Sequence, residues 1–262
     1  MSTAQQPIED PQTHSKAESA SLDHEPQDLS FWDHLAELRK RILYAALAIG
    51  GTTIGCWSFS GEVFQWITAP YAAYFGDAEL IGTGPAEAFI LRLKLSLFCG
   101  IIVATPIIFY QLWLFICPGL LEKEKRLALP FVAGSSLLFS LGTAFCFLIV
   151  LPYALEFFRA QYESLGTITP TIRISEYLSM FLKAMLGFGL IFQIPILAFF
   201  LGKLGLITSA TLTSYARYAI VGAFVISAIL TPPDILTQFL MAGPLLLLYG
   251  VSILIVRWTS DE

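Results

Sequence analysis

Residues 126–156 read RLALPFVAGSSLLFSLGTAFCFLIVLPYALE, with 29 uncharged residues between Arg126 and Glu156. At 1.5 Å per residue, about 20 apolar residues in helical form cross the roughly 30 Å hydrocarbon core of a bilayer. This segment therefore suffices for a membrane span, and its neighbours repeat the signature. Arg41 to Glu62 encloses 20 uncharged residues, Lys94 to Glu122 encloses 27, Lys183 to Lys203 encloses 19, Arg217 to Asp234 encloses 16, and Asp234 to Arg257 encloses 22. Six gaps predict an all-α, polytopic membrane protein with six spans, at about 42–60, 88–116, 128–151, 176–201, 214–230 and 235–256. The hairpin of spans five and six reads as short, because only 13 residues separate Tyr218 from the end of Leu230.

Composition agrees with that reading. Of 262 residues, 56% are hydrophobic and 13% charged, with a mean hydropathy of +0.70; soluble domains average about 45–50% apolar and about 25% charged. Residues 1–29 read as a disordered acidic tail, 30–257 as the membrane domain and 258–262 as a C-terminal tail. Up to residue 30 there are six acids and one base, so the tail's charge of 1 − 6 = −5 equals that of the whole chain. The remainder is neutral, which excludes a basic surface for nucleic acid. The acidic start also lacks the basic region of a cleavable leader or a plastid transit signature, so the first span is expected to do its own targeting.

Ser30 and Asp33 resemble a capping box opening a helix at Phe31. Trp32, Leu35 and Leu38 fall on the membrane-facing side of that first turn, with Asp33, Glu37 and Lys40 towards water. Residues 61–87 and 152–175 read as two long loops, the first carrying a short surface helix at VFQWITAPYAAYF. Pro106 and Pro195 are expected to kink the second and fourth spans. Ten Lys and Arg collect on one side of the spans and five (Arg92, Lys94, Arg159, Arg173, Lys183) on the other. By the positive-inside rule the first side, with both termini, is cytoplasmic.

Chemistry-bearing residues are sparse. Cys56, Cys99, Cys117 and Cys146 lie in apolar runs, and His14, His24 and His34 precede the spans, so neither a metal nor another cofactor is expected. Ionisable groups at membrane depth mark ion paths or substrate sites, yet only Lys183, which can snorkel outward, and the uncharged Gln193 come close. A small-solute secondary transporter is the alternative function, but it calls for inverted repeats and a midplane site. An intramembrane hydrolase lacks a nucleophile motif. Glu37 before Arg39-Lys40-Arg41, and Glu124 within Glu122-Lys123-Glu124-Lys125-Arg126, have two readings. They are helical i,i+4 charge pairs, or carboxylates presented to guanidinium groups of a partner.

Phe31-Trp32-Asp33-His34-Leu35-Ala36-Glu37-Leu38-Arg39-Lys40-Arg41, the stretch Pro106 to Tyr110 followed by Gln111-Leu112-Trp113-Leu114-Phe115, Glu124-Lys125-Arg126-Leu127, and Thr231-Pro232-Pro233-Asp234 together resemble the TatC family, the six-span core subunit of the twin-arginine protein translocase. The resemblance runs from about Ser30 to Arg257. It implies a non-enzymatic receptor for the twin-arginine signal peptides of folded cargo proteins in the bacterial plasma membrane. Its partners are TatA- and TatB-like single-span subunits, further copies of itself and membrane lipid. It also implies that Glu37 and Glu124 receive the paired arginines with Arg39 and Phe115 nearby, and that Pro70 and Asp234 are further functional positions. Where many members carry Glu in the fourth span, this chain has Gln193, which can still serve as a polar contact for a partner helix or as interhelical glue.

Overall fold

The computed structural model describes residues 31–76, 80–116, 128–166, 170–230 and 235–260. The expected tail, the Ser30 cap, the 117–127 turn and the Thr231–Asp234 turn lie outside the described residues. The chain divides into two compact units, Met1–Arg39 and Lys40–Glu262. The described part of the first is the opening of one helix.

The described residues are helical throughout, apart from short connections. α1 (Phe31–Cys56) passes through a 3-10 turn at Trp57–Phe59 into α2 (Ser60–Phe75). Then follow α3 (Glu87–Ile116), α4 (Ala128–Phe145), a π-helical turn at Cys146–Val150, α5 (Leu151–Leu165), α6 (Ile174–Ile191), α7 (Ile194–Lys203), α8 (Ser209–Ser214), α9 (Ala216–Leu230) and α10 (Ile235–Ser260). Five helical stretches are long and apolar enough to cross a membrane, and α9 is a shorter apolar helix of 15 residues.

The helix expected at VFQWITAPYAAYF is present as α2, which starts three residues earlier, at Ser60, and holds Pro70 inside it. Three expectations need correction. The helix after Arg126 does not stop at Pro152 but runs on as α5 to Leu165. Proline clashes with the carbonyl four residues back and supplies no N–H; here that carbonyl belongs to Leu148, inside the π turn, where the wider ring absorbs the mismatch. Pro195 does more than kink the fourth span. The helix stops at Ile191 and restarts at Ile194, with Pro195 in the first turn of α7, where its missing N–H costs nothing. Finally, α10 has 26 residues, so the shortness of the last hairpin resides in α9 alone.

The core lies around α6. Tyr177, Leu178, Phe181, Met185 and Phe188 are buried there against Leu91, Leu95 and Phe98 of α3, and against Leu151 and Leu155 of α5. A second cluster of aromatic rings, Phe109 and Trp113 of α3, Phe131 and Phe139 of α4, and Phe200 of α7, packs edge to face. Small residues let the helices approach closely, as in other membrane bundles. A Cβ on Gly142 of α4 would lie 2.5 Å from the Phe188 carbonyl oxygen of α6. By contrast, no described residue of α1 is buried. It is tied to α3 by Thr52, whose hydroxyl donates to the Gly100 carbonyl at 2.8 Å, and Thr53 packs against Gly100 so tightly that a Cβ there would collide with it.

The connection before α3 and the one before α6 clasp each other. Ile81 N donates to Ile172 O at 3.1 Å and Ile174 N to Ile81 O at 3.0 Å. The starts of α3 and α6 therefore lie together at one end of the bundle, as a chain that crosses down through α3 and back through α4 and α5 requires.

Candidate functional site

In the first unit, Glu37 and Arg39 sit on α1, Glu37 half-buried and Arg39 exposed. At 3.6 residues per turn, residues two apart point to opposite sides of a helix, so the two present a carboxylate and a guanidinium in different directions. Trp32 and Leu35 on the same helix are exposed and Leu38 is half-buried. Glu37 already engages a neighbour, so it is not an isolated carboxylate.

In the second unit, α1 continues with Lys40 over the Tyr44 ring, 6.0 Å from its centroid, and Arg41, whose Nη1 reaches Gln111 Oε1 of α3 at a long 3.5 Å. Phe115 lies half-buried on α3, two residues beyond Trp113. Trp113 points into the aromatic cluster with Phe131 and Phe200, 5.1 and 5.6 Å from their centroids, which fixes this end of α3. Glu124 and Asp234 lie outside the described residues.

Pro70 is half-buried in α2, beside Tyr71. Tyr71 stacks on Phe75 at 4.8 Å and meets the edge of Tyr177 at 5.4 Å, and the Tyr177 hydroxyl donates to the Ile67 carbonyl at 2.8 Å. Pro70 thus belongs to the turn of α2 that docks on α6.

Gln193 occupies the break between α6 and α7 and is 5% exposed. Its amide nitrogen donates to Ser135 O of α4 at 3.1 Å and to Gly189 O at 3.2 Å. Its Oε1 and the Ser135 hydroxyl are buried without a hydrogen-bond partner. The broken helix exposes backbone carbonyls that a long polar side chain can bridge. The side chain faces α4 rather than an open concave surface.

Several polar ties escape sequence reading because their members were met only as charges on the less basic side. Arg92 donates from Nε to Ser60 Oγ at 2.7 Å and lies 5.0 Å from the Trp57 ring, clamping α3 to the 3-10 turn. Arg173 donates to Thr83 Oγ1 at 2.6 Å, and Glu87 accepts from the Thr83 and Gly84 amides at the start of α3. These secure the clasp of the two connections. Pairs 32 and 90 residues apart leave no periodic trace that a single sequence could reveal.

Comparison with known proteins accounts for this architecture. Residues 33–244 match the family described as Sec-independent protein translocase protein (TatC). The chain is 42% identical over 227 residues to a Sec-independent protein translocase protein TatC of Helicobacter pylori, covering 87% of this chain and 88% of that one. It is 42% identical to the Aquifex aeolicus protein of the same name, with coverage of 88% and 95%. It is 39% identical to the chloroplastic counterpart of Pisum sativum, with coverage of 88% and 65%. A crystal structure described as twin arginine translocase receptor TatC superposes with a TM-score of 0.79 at 41% identity, over 87% of this chain and 99% of the other. With the family's residues matched across most of its length and the same helical fold, this chain belongs to the TatC family of Sec-independent protein translocase proteins.

Proposed function

We propose that the chain is the signal-peptide receptor and core subunit of a twin-arginine translocase, which exports folded proteins. The observation that carries this reading is the superposition on the twin arginine translocase receptor at 41% identity over nearly the whole of that structure. Membership in this family makes the chain a protein-transport component of the Tat translocase in a membrane, not an enzyme.

In the proposal, Glu37 and Glu124 receive the paired arginines of the signal peptide, because a guanidinium fork matches a carboxylate with two charge-assisted hydrogen bonds. Arg39 and Phe115 also bind the signal peptide, and Pro70 and Asp234 are further functional positions. The rigid aromatic anchoring of Trp113 beside Phe115 supports a fixed receptor edge at this end of α3. Both termini face the cytoplasm, and the membrane is the bacterial inner membrane. TatA- and TatB-like single-span subunits and further copies of the chain are the partners. Gln193 supplies the contact for a partner's membrane helix through Oε1, which has no internal donor; reaching it requires α4 and α6 to part.

The test is site-specific photocrosslinking of an Arg-Arg signal peptide to the purified protein, with the Lys-Lys peptide as control. Crosslinking that survives Glu37→Ala with Glu124→Ala overturns the assignment of the carboxylates.

A further inference from the structure

Lys94 of α3 donates from Nζ to Ser179 Oγ of α6 at 2.8 Å. One turn further along α6 is Lys183, and Ser179 and Lys183 open together into a cleft of about 680 Å³. Phe75, Leu155, Phe158 and Leu230 give that cleft an apolar wall. Lys94 is the eighth residue of α3 and Lys183 the tenth of α6. At 1.5 Å per residue they lie about 10 and 13 Å along helices whose starts are clasped together. Both ammonium groups thus come to similar depth from the same end of the bundle.

Neither has a counter-ion among the described residues. Lys94 is bonded only to a neutral hydroxyl, and Lys183 has no hydrogen bond or ion pair with a described residue. Glu176, the carboxylate lining this cleft, is matched by Arg173 at 3.4 Å. Two positive charges around Ser179 are left over at a depth where an uncompensated charge is costly. The cleft is bounded on its other side by the end of α9, where Leu230 packs on Gly187 so closely that a Cβ there would lie 2.8 Å from it. The 15 residues of α9 cover about 22 Å of a core about 30 Å thick, and such a mismatch draws the neighbouring leaflet inward. Lipid phosphates are thereby brought towards the depth of the lysines.

We infer that the cleft lined by α2, α5, α6 and α9 binds an anionic phospholipid, its phosphate held between Lys183 and Lys94, which reaches the cleft's Ser179 from α3, and its acyl chains along Phe158 and Leu230. Ser179 accepts from Lys94 and keeps its own hydroxyl proton to donate to a phosphate oxygen. A phosphate between two ammonium groups satisfies the excess charge, and the apolar wall favours a lipid over a soluble anion.

The experiment is native mass spectrometry of the full chain in detergent, titrated with dioleoylphosphatidylglycerol, with dioleoylphosphatidylcholine, and with phosphatidylglycerol in the presence of excess inorganic phosphate. Wild type should prefer phosphatidylglycerol, and inorganic phosphate should not displace it. Lys94→Gln with Lys183→Gln should weaken that binding about tenfold or more. Lys94→Arg with Lys183→Arg should retain it within about twofold, and Arg159→Gln, which removes a surface cation paired with Glu163, should leave it unchanged. Equal binding by the double glutamine variant, equal binding of both lipids by wild type, or displacement by inorganic phosphate overturns the lipid site. So does lysine-dependent capture of a carboxylate-bearing membrane helix in place of lipid. A melting curve for each variant separates lost binding from lost folding.

Discussion

Gly142→Ala tests a close helix contact of the bundle, that of α4 with α6. In a helix interior the change from Gly to Ala is favourable by about 1 kcal/mol on conformational grounds. At Gly142 the new methyl would sit 2.5 Å from the Phe188 carbonyl oxygen and 2.8 and 2.9 Å from Phe192 Cγ and Cβ. A side-chain tip could swing aside, but a helical carbonyl can move only with its helix. The cost therefore falls at the upper end of the roughly 1–3 kcal/mol seen for overpacked cores. Subtracting the conformational gain leaves a net destabilisation of about 2 kcal/mol. Gly250→Ala in α10 is the matched control, because a Cβ there meets nothing within 4 Å and should be neutral or stabilising by up to about 1 kcal/mol. Heating the detergent-solubilised protein with a thiol-reactive fluorophore follows unfolding through exposure of the buried Cys146. A Gly142→Ala protein that melts at or above wild type, or above Gly250→Ala, refutes the close approach of α4 and α6.

Glu124→Ala should weaken crosslinking to an Arg-Arg signal peptide roughly tenfold or more, the equivalent of one charge-assisted hydrogen bond of about 1.5–3 kcal/mol, with an unchanged melting curve. Gln193→Leu removes the amide bond to Ser135 O and should cost about 0.6 kcal/mol, and under 2, in the same melt; if Gln193 is the partner contact, transport falls while stability hardly changes, and a cysteine there crosslinks to a partner helix. Inserting four apolar residues into α9 should abolish transport with signal-peptide binding retained, because a full-length helix no longer thins the bilayer beside it; full transport by the lengthened protein disposes of that role.

The spans were legible because charge is expensive in hydrocarbon, and the gaps from Arg41 to Arg257 record that cost directly. What the gaps could not convey was where a helix persists through proline. Pro106 lies within the continuous α3, whereas Pro195 separates α6 from α7. The distinction depends on whether neighbouring turns can take up a lost hydrogen bond, and tertiary packing decides that. Gln193 was legible as the deepest polar side chain of its span, but its bond to Ser135, 58 residues away, was not. Lys183 read as a lone cation able to snorkel, and Lys94 only as one of five cations on the less basic side. The clasp at Ile81 and Ile174, which sets α3 and α6 side by side, brings Lys94 to Ser179, one turn from Lys183.

The wide turn at Cys146–Val150 also fixes an angular relationship. It contributes one residue more than an α-helix would need, so the helix beyond it is rotated by about 100° relative to an uninterrupted one. That rotation aims Leu151, Ala154 and Leu155 at the core and leaves Tyr153 and Glu156 outside. Deleting a single residue between Cys146 and Val150 would restore ordinary winding while turning the apolar stripe of α5 away from α2 and α6. The segment therefore acts as a phase lock between two halves of one span. Length changes there are tolerated only in pairs with a compensating change of pattern downstream.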